Sequence, residues 1–174
     1  MLARALTAAA VVLTLAMPAA AGAANIGFDG PDYVAGVSGS PSGYKGESKL
    51  WFNDGSWWAS MFHTGTSAYH IFKHDKATQS WTTTNVETDD RNTSRQDTLW
   101  DAAEGKLYVA SHIFVSEPSF NTTTNIQPME FSKYSYNAAT DTYTMDPGFP
   151  VNIEPDERSE SLVIDRGAGG TFWA

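Results

Sequence analysis

Three segments of the chain repeat one strand–turn–strand pattern: KLWFNDGSWWAS (49–60), TLWDAAEGKLYVAS (98–111) and LVIDRGAGGTFWA (162–174). The last two align without a gap, setting Leu99 on Val163, Asp101 on Asp165 and Gly105 on Gly169. The first joins them after a two-residue shortening of its turn, which sets Trp51 on Trp100, Trp57 on Tyr108 and Phe172, and Trp58 on Val109 and Trp173. A second element follows the first two: IFKHDKATQSW (71–81) and KYSYNAATDTY (133–143), with Phe72 on Tyr134, Asp75 on Asn137 and Trp81 on Tyr143. An Asp or Asn ahead of Ala-Thr, between aromatic-bearing runs, caps its own turn through the side-chain oxygen. No apolar stripe of helical period is sustained, so each full unit predicts two consecutive hairpins, four antiparallel strands in all.

A four-stranded antiparallel unit recurring at this spacing predicts an all-β fold, a β-propeller of four-stranded blades. Blade one runs over about 48–96, blade two over about 97–160 with SEPSFNTTTNIQ (116–127) inserted, and a third begins at 161–174. Residues 24–47, rich in Gly, Ser and Pro, form an irregular arm ahead of the partial propeller at 48–174. Blades pack on both faces and successive strand residues point to opposite sides, so Trp57 and Trp58 are expected to fill the gaps to the two neighbouring blades. A closed propeller needs roughly four to eight blades. Two and a third are expected here, which reads as the N-terminal part of a longer frame.

Residues 1–23 carry Arg4, an apolar run from Ala5 and a small-residue Ala21-Gly22-Ala23 site, the pattern of a secretory signal peptide. Its removal leaves 10 basic against 20 acidic residues and marks the product as secreted, with no membrane span. So acidic a chain, with no Lys/Arg cluster, is repelled by a phosphate backbone, which excludes nucleic acid as a partner. There is no cysteine, which excludes thiol catalysis and thiolate metal sites.

The segments KLWFNDGSWW, KYSYNAATDTY and SLVIDRGAGGTFW resemble the repeats of secreted bacterial propellers of the sialidase-like (BNR-repeat) and kelch-like superfamilies, over about residues 48–174. That resemblance implies an extracellular propeller acting on, or binding, carbohydrate. The sialidase Asp-box, S-x-D-x-G-x-x-W, is only approached: Ser161 lies four residues before Asp165 instead of two. No Arg-Ile-Pro motif precedes the first blade, so no arginine triad or tyrosine nucleophile carries over.

In such an architecture the loops entering each innermost strand gather near the central axis: SGYKGES (42–48), ETDDRNTSRQD (87–97) and EPDERSES (154–161). Asp90, Arg91, Arg95, Asp97, Arg158 and Glu160 are the candidate ligand-binding residues, since guanidinium forks and paired carboxylates suit acids and hydroxyls. Three functions remain open: recognition of an extracellular glycan or other polar ligand, a glycoside hydrolase using a pair such as Asp90 with Asp97 or Glu160, and a protein-interaction propeller. The bland alternative for all six is a set of solvated loop charges and inter-blade ion pairs. No cofactor is expected and no metal ligand set is read; the Asp-rich loops would suit only a structural calcium ion. His70 and His74, about 13 Å apart along a strand, cannot share a metal. His63 and His112 end the second strands, where a hydrogen-bonded structural role competes with that of weak ligand or base. Asn92-Thr93-Ser94 and Asn121-Thr122-Thr123 match the glycosylation sequon.

Overall fold

The computed structural model describes residues 46–114 and 126–174. The predicted signal peptide, the arm up to residue 45 and most of the insertion at 116–127 lie outside the described residues, as does the second sequon. The described residues contain strands and no helix. In chain order these are β1 (Leu50–Asn53), β2 (Ser56–His63), β3 (Ala68–Asp75), β4 (Ser80–Asp89), β5 (Ser94–Asp101), β6 (Lys106–Ile113), β7 (Met129–Asn137), β8 (Thr142–Met145), β9 (Val151–Ile153), β10 (Asp165–Arg166) and β11 (Phe172–Trp173). They form a sheet β1-β2-β3-β4, a sheet β5-β6-β7-β8 to which β9 adds by pairing with β7, and a hairpin β10-β11, all antiparallel.

Local chemistry fixes these meanders. The β1–β2 turn places Asp54 (φ 48°) and Gly55 (φ 72°) in the left-handed region, as a two-residue hairpin turn requires. Asp75 Oδ1 accepts from the N–H groups of Ala77 (2.7 Å) and Thr78 (3.3 Å), and Asn137 Oδ1 from Ala139 N–H at 3.0 Å. Asp101 Oδ1 does the same for Ala103 and Glu104. The edge strand of the second sheet is broken into β8 and β9 by the segment 146–150, which holds a cis Phe149–Pro150 bond.

The sheets stack in chain order. One face of the first, carrying Trp51, Trp58 and Ile71, packs on Leu107, Val109, Tyr134 and Tyr143 of the second. The opposite face of the second, carrying Leu99, Tyr108 and Ala110, packs on Leu162, Ile164 and Phe172 of the third unit. Trp58 meets Tyr143 edge to face with centroids 5.0 Å apart, and Trp51 Nε1 donates to Tyr143 Oη at 2.8 Å. Backbone joins the first two sheets as well, Thr98 N–H donating to the Ser48 carbonyl at 2.8 Å.

Two of the sequence equivalences are corrected by this packing. Trp58 faces the following sheet as Tyr108 does, whereas Val109 faces the preceding one, so the first hairpin is shifted by one residue against the predicted alignment. In the third unit Asp165 pairs with Trp173, where Asp101 pairs with Lys106, so the turn is three residues longer and the gapless match fails on the return strand. The second-element alignment holds in register: His74 pairs with Trp81 as Tyr136 pairs with Tyr143. Trp57 lies on the opposite face, turned away from the second sheet, where with Leu50 and Phe52 it is about half exposed.

Candidate functional site

A polar cluster is buried where the starts of β1, β5 and β10 meet. Asp97, 3% exposed on β5, accepts hydrogen bonds from the backbone N–H of Ser48 through Oδ1 and of Ile164 through Oδ2, the latter at 2.8 Å. One carboxylate thus holds the segment before β1 and the segment before β10. Glu47 and Lys49 flank Ser48 and are also buried. Lys49 Nζ donates to the Glu47 carbonyl at 3.3 Å and lies 3.5 Å from its carboxylate. Burial pushes the Lys49 ammonium below its usual range, against the pull of Glu47 and Asp97.

His112, on β6, completes the cluster with its side chain 1% exposed and Nε2 3.5 Å from Glu47 Oε1. Burial lowers its pKa from the ordinary 6.5, with the Glu47 carboxylate opposing, so the imidazole is held neutral. Glu47 Oε1 and His112 Nε2 face each other without a well-formed hydrogen bond. Arg95 pairs across the ladder with His112 and stacks on Phe114 with its guanidinium carbon 3.9 Å from the ring centre. The segment 154–164 leads across the cluster into β10, bringing the Ser159 backbone beside His112, with Arg158 half-buried and Glu160 exposed.

The six predicted residues therefore fall into two groups. Arg95 and Asp97 belong to this cluster, and Arg158 and Glu160 to the segment that crosses it. Asp90 and Arg91 belong to a neighbouring ion network. There Arg91 grips Asp89 through Nε–Oδ1 (2.9 Å) and Nη2–Oδ2 (2.6 Å), and donates to Ser111 Oγ and the Pro128 carbonyl. Burial alone would raise the Asp89 pKa; the hydrogen bonds from Arg91, Ser111 and Ser94 overcome it and hold the carboxyl below 3.8. Asp90 is exposed at the rim of a recess of about 230 Å³ that Glu87, Asp89 and Glu130 also line. Ser94 of the first sequon is 2% exposed and bonded to Asp89 Oδ2, while Asn92 and Thr93 are exposed.

Sequence reasoning passed over Lys49, which precedes an apolar strand, and weighed His112 as a weak ligand or base against a structural role without naming its partners. Their convergence depends on how two sheets stack, which no local spacing encodes. A third polar group, Ser60, Thr88 and Gln96, links the first two sheets, with Ser60 Oγ 2.9 Å from Thr88 Oγ1 and bonded to Gln96 Oε1. Among the described residues no three His, Asp or Glu side chains gather to hold a metal. In comparison with known proteins, the chain matches no family model, no curated protein and no solved structure.

Proposed function

We propose that the chain belongs to a secreted β-propeller, sialidase-like in its repeats, that recognises an extracellular polar ligand, carbohydrate foremost, through the loops around its axis. Supporting the architecture, two antiparallel meanders and a further hairpin stack face to face in chain order. The observation that carries the function is the buried cluster of Glu47, Lys49, Asp97 and His112, where three successive units meet. Its loosely held carboxylate and imidazole suit the hydroxyls of a guest, since buried polar groups favour well-formed hydrogen bonds.

A panel of immobilised oligosaccharides tests this reading. The parent is expected to bind at least one, and the double change Arg95→Ala, Arg158→Ala to weaken that binding about tenfold or more, near 1.4 kcal/mol, with the far-ultraviolet spectrum unchanged. Undiminished binding, or none across the panel, shifts the reading to a protein-interaction propeller. A second reading rests on the Glu47–His112 pair, a neutral imidazole beside a carboxylate, which is the arrangement of a general base. It requires turnover of a chromogenic glycoside that His112→Gln abolishes, and it is dropped if the parent turns over none.

A further inference from the structure

His63 and His70 form a constellation separate from the cluster above. The end of the β2–β3 hairpin reads His63-Thr64-Gly65-Thr66-Ser67-Ala68, and its ladder pairs His63 with Ala68 and Met61 with His70. Residues paired across a ladder share a face, and so do residues two apart on one strand. Met61, His63 and His70 therefore lie on one face of the first sheet. The two imidazoles are diagonal neighbours with ring centroids 5.0 Å apart and planes inclined by 51°. Both aim a nitrogen at one point: His63 Nδ1 lies 3.0 Å from Thr66 Oγ1, and His70 Nε2 lies 2.9 Å from the same oxygen.

We propose that this hairpin end is a binding site for a late first-row transition-metal ion, copper(II) foremost, held between His63 Nδ1 and His70 Nε2. An ion takes imidazole nitrogen at about 2.0–2.1 Å, so it sits where the Thr66 hydroxyl now stands, once that exposed side chain rotates out and the rings close by less than about 1 Å. Imidazole pairs suit copper, nickel and zinc, and the order of affinities among these ions peaks at copper.

The surroundings fit that role. His70 is 5% exposed and its Nδ1 has no hydrogen-bond partner among the described residues, so that ring is fixed by packing and by Nε2 alone. His63 is half-buried and opens a path from solvent. Gly65 leaves room for its ring, since a Cβ there would lie 3.1 Å from His63 Cε1. His74 packs instead on Trp81, near the opposite end of β3.

The test uses the whole chain, stripped with a chelator and titrated with copper(II) chloride and then with zinc chloride in a calorimeter. Copper(II) is expected to bind at micromolar concentration, with zinc at least about tenfold weaker and with nitrogen splitting in the copper paramagnetic resonance spectrum. His63→Ala is expected to remove one equivalent of copper. So is His63→Phe, which keeps a ring in the packing against Phe72. Absence of micromolar copper uptake by the parent overturns the proposal, as does unchanged uptake by a folded His63→Phe protein. Either would leave the His–Thr–His contact as a hydrogen-bonded staple of the hairpin.

Discussion

Trp58 is fully buried between Tyr136 and Tyr143 of the second sheet, and its Nε1 donates to the Asn53 carbonyl at 3.1 Å. Trp57, one residue earlier, points to the other face, meets Phe52 edge to face at 5.4 Å and is 46% exposed. The two substitutions Trp58→Ala and Trp57→Ala delete the same side chain from opposite faces of one strand. The first leaves a cavity at the interface between sheets and is expected to cost about 3–5 kcal/mol. The second removes a ring that water already reaches and is expected to cost under about 1 kcal/mol. Urea denaturation followed by far-ultraviolet circular dichroism separates them, and equal losses would show that the Trp57 face is covered in solution. Strand alternation made the opposite directions of these tryptophans readable from sequence. Which of the two faces carries a neighbouring sheet was not readable, because both carry large apolar residues.

At the scale of elements, the turns were the most legible features, since each is written in its own residues: Asp54-Gly55, and the self-capping Asp75, Asp101 and Asn137. Alignment of whole hairpins was less secure. A strand packed on both sides is apolar in both parities, so a one-residue shift leaves its hydrophobic profile almost unchanged while exchanging its faces. That is how Trp58 came to be matched with Val109 instead of sharing the orientation of Tyr108. The break between β8 and β9 went unread, although Asp146-Pro147-Gly148-Phe149-Pro150 carries the breakers that cause it. Asp97 was legible as a charge near the start of an inner strand, but its partners, Ser48 and Ile164, are 49 and 67 residues away. Asp97→Ala strands two N–H groups at about 1–3 kcal/mol each. Because β10–β11 is a short hairpin paired with no other strand, amide exchange is expected to rise first over 162–174, ahead of β5 and β6. A uniform rise along the chain would mean that Asp97 supports global stability and does not tie the third unit in place.

At the scale of the whole molecule, the stack of sheets buries ionisable groups far apart in sequence, and its response to acid should carry their signature. His70 lies in the first sheet and His112 in the second, and burial lowers both pKa values from 6.5. A histidine with a depressed folded pKa binds fewer protons folded than unfolded, so its contribution is fully present above pH 6.5 and is lost as pH falls from there towards the folded value. The carboxyls of Asp89 and Asp146 also sit below their usual 3.8: burial opposes this in both, and it is overcome by Arg91, Ser111 and Ser94 for the first and by Lys106 and Ser135 for the second. Their share is present above 3.8 and is lost only as pH falls through their lower folded values. Acid should therefore weaken the metal-free protein in two separate windows. The melting temperature is expected to fall as pH drops below 6.5, to level off once the folded histidines have taken up their protons, and to fall again below 3.8. His70→Gln and His112→Gln, measured against the parent over the same range, should each flatten the first descent and leave the second in place. If the first descent keeps its slope in both variants, neither buried imidazole is neutral in the folded chain, and the general-base reading of Glu47 with His112 falls with it.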